Sequence, residues 1–260
     1  MLKHLAIVQI DDECSGATTL PGSSTLSASA VAMRRLGGKS VVEWLVRRVS
    51  DALKVEGVIV VLPDSPDYLW VADLVPLDVP VHFSAKADPL GRLADAVTEY
   101  PCESMVRVSP ENPLCDPTLI DRLLITAERN SGCDYIGHCL ADGSPAYNST
   151  IGLFGEWFRT ASLIKAERES KAQADRYQVG RSMLAYPEIF NLKLLPVPGS
   201  LNREDVRLSI TQDEDWENLL AILEAVGADQ LEWQEVIQLI DHQPNLRNRM
   251  AVLNQATVSL

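Results

Sequence analysis

A polar break between an apolar strand and a helix contains the first residues whose types could support chemistry. An apolar run ends at Val108, the break spans residues 109–113, and a helical pattern of apolar residues follows Asp116. In α/β proteins ligands bind in crevices at the carboxyl ends of strands, so this break predicts a ligand site. The alternative is an ordinary strand-to-helix turn, in which Asp116 caps the helix and Pro117 fits its first position.

Three adjacent carboxylates form a second candidate. Asp11, Asp12 and Glu13 follow the first apolar run and open a loop that continues to about residue 29. Carboxylates of this kind can ligate a divalent cation. They also repel an anionic ligand, because two like charges about 4 Å apart cost on the order of 1 kcal/mol in water and more where water is excluded.

Alternating strands and helices in the first half of the chain must position both candidates. Apolar runs of the buried kind predict strands at residues 4–10, 57–62, 79–83, 104–108 and 134–138. Amphipathic patterns predict helices at residues 41–53, 89–100, 117–130, 213–225 and 231–242. This alternation predicts right-handed βαβ units and therefore an α/β fold with a mainly parallel sheet.

The alternation weakens after about residue 143. The candidates that remain are a strand at residues 151–154, a helix at residues 156–166 and a strand at residues 206–210. Because the regular pattern stops there, we expect residues 145–200 to leave the core as a protruding arm.

Length and composition narrow the class of protein. The 260 residues allow a large domain, expected at residues 1–227, with a C-terminal helical extension at residues 228–260. The 36 acidic and 23 basic residues give a formal net charge of −13, which disfavours binding to nucleic acid. Five cysteines without a CxxC pair, and no apolar run near about 18 residues, predict a cytoplasmic protein that does not bind a membrane.

Four motifs in a fixed order carry a resemblance to a known family. They are Leu20-Pro21-Gly22, Gly37-Gly38-Lys39, the run from Asp88 to Arg92, and the run from Val106 to Pro117. Together they resemble the cytidylyltransferases of the spore-coat polysaccharide biosynthesis type, which are related to acylneuraminate and 3-deoxy-manno-octulosonate cytidylyltransferases. The resemblance covers roughly residues 4–225, and the tail that follows is similar to C-terminal extensions in that group.

The resemblance implies a fold, a reaction and a set of site residues. The fold would be a Rossmann-like three-layer α/β/α sandwich of the GT-A nucleotidyltransferase type. The reaction would join CTP to a sugar acid and release pyrophosphate with Mg²⁺, and the protein would be a homodimer. The residues implied for nucleotide binding are Gln9, Gly16, Gly22, Lys39, Asp88, Arg92, Arg107 and Asn112, and Glu111 is implied as the metal ligand.

The sequence departs from the family pattern at the charged positions. Three basic positions of the first loop hold Asp11, Thr19 and Ser23, and two acidic positions hold Glu111 and Thr211. A triphosphate needs cations around its oxygens and carboxylates to hold its metal. These replacements therefore remove charges that the implied phosphate and metal sites need.

Three functions compete on these grounds. The first is an active cytidylyltransferase with a rearranged site, in which Arg34, Arg35 or Lys39 would replace the missing cations. The second is a non-catalytic family member with a structural or regulatory role, in which the carboxylates at residues 11–13 would face the phosphate pocket without compensating basic side chains. The third is another nucleotide-sugar-using transferase on the same scaffold, which would use those carboxylates for its metal.

Overall fold

A seven-stranded, mainly parallel sheet forms the centre of the protein. The computed structural model describes residues 1–12, 26–227 and 231–258. The strands are β1 (Leu2–Gln9), β2 (Arg35–Leu36), β3 (Lys39–Ser40), β4 (Gly57–Pro63), β5 (Val81–Ser84), β6 (Cys102–Val108), β7 (Tyr135–Cys139), β8 (Glu156–Arg159) and β9 (Leu192–Pro196). The sheet order is β5-β4-β1-β6-β8-β7-β9, and β2 and β3 form a separate hairpin. Strand β8 runs antiparallel to both of its neighbours, whereas the other neighbouring strands of the sheet pair in parallel.

Helices cover both faces of this sheet. They are α1 (Ala28–Met33), α2 (Val41–Ser50), α3 (Leu69–Ala72), α4 (Pro89–Glu99), α5 (Pro117–Arg129), α6 (Thr160–Glu169), α7 (Gln173–Tyr177), α8 (Arg181–Leu184), α9 (Asp213–Val226), α10 (Trp233–His242) and α11 (Pro244–Val258). One core cluster joins α2 and α5 to the sheet, and another joins α4, α6 and α8 to its opposite face. The predicted three-layer α/β/α fold is thereby confirmed.

The five strands predicted from apolar runs are all present, as β1, β4, β5, β6 and β7. The physical reason is visible in β1, where Ala6, Ile7 and Val8 are fully buried. Because layers of helices cover both faces, successive side chains on either side of the strand must be apolar, which produces a continuous run instead of an alternating one.

The segment after residue 143 differs from its prediction. The sequence predicts a strand at 151–154 and a helix at 156–166, but strand β8 occupies Glu156–Arg159 and the helix begins only at Thr160. The same segment was expected to leave the core as an arm, yet it contributes β8 and β9 to the sheet. Strand β8 has four residues, which are too few to show a periodic pattern of their own. Its place between β6 and β7 is therefore set by pairing with those strands.

The predicted strand at residues 206–210 lies outside the sheet and has no regular secondary structure. Its backbone amides find other acceptors: Leu208 and Ser209 donate to Thr150 O, and Ile210 donates to Glu111 O. The alternating apolar side chains that suggested a strand are real, since Val206, Leu208 and Ile210 are buried. The segment therefore satisfies its hydrogen bonds against loops instead of a neighbouring strand.

The predicted C-terminal helical extension is present as α10 and α11. Both helices pack with α9 in a third core cluster, which includes Ile237, Ile240, Leu246 and Met250. The division of the chain at residue 227 stays a prediction. In the described part of the chain, no helix combines the length and the apolar composition needed to cross a bilayer.

His138 on β7 makes stability sensitive to acid. Its ring is 1% exposed, lies 5.1 Å from the Phe154 ring, and has no hydrogen-bond partner among the described residues. Burial, with a smaller effect of Arg122, lowers the pKa of His138 from 6.5 to about 3. Between these pH values the unfolded chain binds a proton that the folded protein does not, so stability falls as the pH falls below 6.5.

We expect the variant His138→Leu to lose stability more slowly with acid than the parent protein. The difference in their free energies of unfolding should change by up to about 1.4 kcal/mol per pH unit below pH 6.5. Urea unfolding between pH 8 and pH 4 measures it, and the values at pH 8 serve as the control for packing changes. Parallel stability curves for the two proteins would contradict this assignment.

Candidate functional site

A chain of buried hydrogen bonds crosses the carboxyl ends of β1 and β6. Arg107 Nε donates to Gln9 Oε1 at 2.6 Å, and Gln9 Nε2 donates to Pro89 O, at the start of α4, at 2.9 Å. Both side chains are buried, and the Arg107 guanidinium lies 5.1 Å from the Tyr147 ring centroid. Two predicted site residues are therefore brought together, but their polar atoms bond to the protein itself.

Glu156 on β8 neutralises Arg107 from within the protein. Arg107 Nη1 donates to Glu156 Oε2 at 3.0 Å, and the Tyr135 hydroxyl donates to Glu156 Oε1 at 2.7 Å. Burial raises the pKa of the Glu156 carboxyl, while Arg107 and the Tyr135 hydroxyl act in the opposite direction. Sequence reasoning missed Glu156 because it assigned that residue to a helix.

The Glu156 carboxylate fits only because a glycine faces it. A Cβ atom at Gly180, just before α8, would overlap Glu156 Oε1. The φ angle of Gly180 is −57°, so backbone strain does not require glycine at this position. The close approach of the carboxylate is the reason that a side chain is excluded there.

Asp11 forms a buried ion pair with Arg92 on α4. Arg92 Nε lies 2.8 Å and Arg92 Nη2 lies 2.7 Å from Asp11 Oδ2, and the two residues are 2% and 5% exposed. Arg92 Nη1 also donates to Lys86 O at 2.6 Å. The expectation, made for a non-catalytic protein, that Asp11 lacks a compensating basic side chain is therefore wrong. Arg92, which the resemblance implies for nucleotide binding, holds this carboxylate.

Asp12 has a structural role at the start of α1. Its carboxylate accepts hydrogen bonds from Ser29 N and Ser29 Oγ, both at 2.8 Å. Burial, followed by the nearby charge of Asp12, raises the pKa of the Tyr68 hydroxyl. Glu13, the third carboxylate of this group, lies outside the described residues, as do Gly16, Thr19, Gly22 and Ser23.

Asp88 caps α4 and is covered by an arginine of α7. Its Oδ1 accepts from Gly91 N at 2.9 Å, and Arg176 Nε donates to its Oδ2 at 2.8 Å. Arg176 also bonds to Glu167 Oε1 and to two backbone carbonyls. One oxygen of Asp88 thus caps α4, and the other holds α7 against α4.

The break at residues 109–113 meets the segment that contains Thr211. Ile210 N donates to Glu111 O at 2.7 Å, and the Asn112 side chain is buried next to Glu111 in the chain. Asp116 caps α5 by accepting from Thr118 N at 2.9 Å and Leu119 N at 3.3 Å, as the alternative reading predicts. The structure therefore brings the backbone of Glu111 beside Thr211, the second position at which the resemblance implies an acidic residue.

Arg207 and Asp215 fill the space around Thr211. Arg207 Nε donates to Asp215 Oδ1 at 2.6 Å, and Arg207 Nη2 donates to Thr211 Oγ1 at 2.8 Å. Asp215 Oδ2 accepts from Thr211 N, Thr211 Oγ1 and Gln212 N. Sequence reasoning missed this pair, although a charged residue between the buried Val206 and Leu208 is the signal that could have found Arg207.

The described residues around Thr211 do not fit the implied Mg²⁺. This ion needs several hard oxygen ligands in octahedral geometry. Two oxygen-bearing side chains lie at this position. Thr211 Oγ1 is 2.8 Å from a guanidinium nitrogen of Arg207, and the Asp215 carboxylate already accepts from Arg207 and from backbone amides. Among the described residues no group of three or more acidic, histidine or cysteine side chains could hold a metal.

Lys39 lies in β3, which immediately precedes α2. It lies exposed in the β2–β3 hairpin, where Gly37 and Gly38 have φ angles of 54° and 83° that suit the tight turn. In the same region Arg35 donates to Gly38 O, and Arg34 pairs with Asp213 and lies 5.2 Å from the Trp216 ring centroid.

Comparison with known proteins identifies the family. The family model described as Cytidylyltransferase matches residues 32–234. The chain belongs to the cytidylyltransferase family. It is 24% identical over 238 residues to the spore coat polysaccharide biosynthesis protein SpsF of Bacillus subtilis, which covers 88% of this chain and 92% of SpsF. The resemblance inferred from the four motifs is confirmed.

Solved structures of cytidylyltransferases share this fold. A cytidylyltransferase from Leptospira borgpetersenii matches with a TM-score of 0.76 at 18% identity, over 94% of this chain and 95% of its own. CMP:2-keto-3-deoxy-manno-octonic acid synthetase, solved with CTP, matches with a TM-score of 0.60 at 11% identity, over 86% and 99%. The cytidylyltransferase fold is therefore present in this chain.

We expect Asp11→Ala to lower the free energy of unfolding by about 3–5 kcal/mol, because it leaves the buried Arg92 guanidinium without its carboxylate. Chemical denaturation measures the change. Arg47→Ala is the matched control, since it breaks an ion pair with Asp78 in which both side chains are largely exposed. Its effect should be much smaller. Equal losses in the two variants would refute a special role for the buried pair.

We expect Gly180→Ala to destabilise this cytidylyltransferase-family protein by about 1–3 kcal/mol, because the added methyl group must displace the Glu156 carboxylate. Gly199→Ala is the control, since a Cβ at Gly199 meets nothing within 4 Å. Thermal unfolding of both variants makes the comparison. A Gly180→Ala protein as stable as the Gly199→Ala protein would show that the carboxylate is free to move.

Proposed function

We propose that this chain is a non-catalytic member of the cytidylyltransferase family, with a structural or regulatory role in surface polysaccharide or sugar-acid metabolism. The observation that carries the proposal is that charged groups at the candidate site are paired with one another inside the protein. The Asp11–Arg92 pair is the clearest case, because both partners are buried.

Three arginines of the described site that could hold a phosphate are paired with carboxylates of the protein. A triphosphate is held by Arg and Lys side chains that can donate charge-assisted hydrogen bonds. In the described part of the site, Arg92 holds Asp11, Arg107 holds Glu156, and Arg176 holds Asp88. Using any of these arginines for a phosphate would leave a buried or half-buried carboxylate without its partner, which opposes binding.

The alternative of an active enzyme with a rearranged site would need Arg34, Arg35 or Lys39 at the phosphate, and two of these three side chains are engaged elsewhere. Arg34 pairs with Asp213, and Arg35 bonds within its own hairpin. The third alternative, a transferase that uses Asp11 and Asp12 for its metal, is opposed by their bonds to Arg92 and Ser29. Both alternatives remain outcomes of the experiments below.

We expect the unmodified protein to release no pyrophosphate from CTP with Mg²⁺ and a panel of sugar acids. A coupled pyrophosphate assay measures this, with an active cytidylyltransferase such as a CMP-2-keto-3-deoxy-manno-octonic acid synthetase as the positive control. Sustained release that depends on protein concentration and on one sugar acid would overturn the proposal and favour the rearranged enzyme.

Calorimetric titration tests binding apart from turnover. We expect CTP with Mg²⁺ to bind no better than the millimolar range, about −4 kcal/mol, because the arginines are already engaged. Other nucleoside triphosphates and CMP-sugars complete the panel. Tight binding of one nucleotide-sugar with turnover would instead support the third alternative.

The cellular location and the oligomeric state of the protein are also part of this proposal. The family resemblance supports a cytoplasmic homodimer. Sedimentation equilibrium measures the oligomeric state directly, and a monomer throughout the accessible concentration range would contradict the dimer.

A further inference from the structure

The segment at residues 203–210, which includes the predicted strand at 206–210, packs against the C-terminal helices. Its apolar residues Val206, Leu208 and Ile210 share a buried cluster with Leu246 and Met250 of α11. This segment leads directly to Thr211, which stands at an implied metal position. The C-terminal helices thus contact the part of the chain that forms one side of the candidate site.

Ion pairs hold the start of this segment. Arg203 Nη1 donates to Asp241 Oδ1 of α10 at 2.6 Å, and Arg203 Nε donates to Asp205 Oδ1 at 2.7 Å. Arg247 of α11 lies 3.7 Å from the other oxygen of Asp205. These side chains are half-buried or exposed, so water screens the pairs and each contributes little by itself.

Asn254 of α11 contacts the backbone of the same segment. Its Nδ2 donates to Glu204 O at 2.7 Å and to Val206 O at 3.1 Å, and Val206 O also accepts from Thr150 Oγ1 at 3.3 Å. A segment outside a sheet has carbonyls that no neighbouring strand can satisfy, and Asn254 supplies a donor for two of them. The side-chain amide therefore links α11 directly to the backbone of the segment.

The side-chain oxygen of Asn254 contacts Arg207, which forms a buried ion pair with Asp215. Arg207 Nη1 donates to Asn254 Oδ1 at 3.3 Å, while its remaining nitrogens hold Asp215 and Thr211. Asp215 in turn accepts from the amides of Thr211 and Gln212. A continuous path of hydrogen bonds thus runs from α11 to the backbone beside the candidate site.

We propose that α11 positions the site segment at residues 207–212 through Asn254 and Arg207, so that the C-terminal helix is a working part of the candidate site. Arg207 supplies a fixed internal positive charge there, where the family pattern calls for a carboxylate and a metal. This positioning does not depend on whether the protein is catalytic, because it concerns the protein's own backbone.

Hydrogen–deuterium exchange of Asn254→Ala tests the proposal. We expect the amides of residues 207–212 to exchange at least about tenfold faster, which corresponds to about 1.4 kcal/mol of local opening. Amides of the sheet, for example in β1, should exchange at the parent rate. The variant Asn248→Ala is the matched control, since Asn248 is an exposed asparagine on the same helix.

Each outcome of this experiment decides the proposal. Faster exchange confined to residues 207–212 in Asn254→Ala, with none in Asn248→Ala, supports it. Unchanged exchange, or a uniform increase throughout the protein, overturns it, because Asn254 would then serve only general packing. If Asn254→Ala fails to fold, Asn254→Asp replaces it, since it loses the amide donor but keeps an oxygen for Arg207. That variant should give a smaller effect on the same amides, and parental exchange would overturn the proposal.

Discussion

Buried carboxylates at the carboxyl edge of the sheet must each be paired with a cation, and the rest of the candidate site depends on this requirement. Asp11, Glu156 and Asp215 are each at most 2% exposed. An unpaired carboxylate at such a depth costs several kcal/mol, so the arginine that accompanies it cannot leave without a comparable loss. Arg92 and Arg107, which the resemblance implies for nucleotide binding, and Arg207 therefore each stabilise a buried carboxylate of the protein.

These pairs also connect elements that are distant in the chain. Arg92 joins α4 to the end of β1, and Arg107 joins β6 to β1 through Gln9 and to β8 through Glu156. Buried networks of this kind are stable only when every member is satisfied. The described part of the candidate site is thus joined by hydrogen bonds within the protein, which is the basis of the structural role proposed above.

The family fold is present although the charged residues at the site depart from the pattern that the resemblance implies. The sheet order and the helical layers match solved cytidylyltransferases at low sequence identity, because apolar burial determines the fold and tolerates many sequences. The chemistry of a site depends instead on a few polar residues, which can change while the core is maintained. In this chain Arg92 pairs with Asp11 and Arg207 donates to Thr211, two positions where the resemblance implies other residues.

The sequence by itself determined the central strands, the helix starts and the family, whereas only the tertiary structure decided the partners of the charged residues. Apolar runs such as Ala6–Val8 and caps such as Asp116 are local signals, because burial and capping depend on residues close in the chain. Asp11 and Arg92 are 81 residues apart, so no local pattern indicates that they form a pair. Strand β8 was missed for a related reason, since its pairing depends on β6 and β7, which lie elsewhere in the chain. Long-range contacts therefore decided that the arginines of the site serve the protein's own carboxylates.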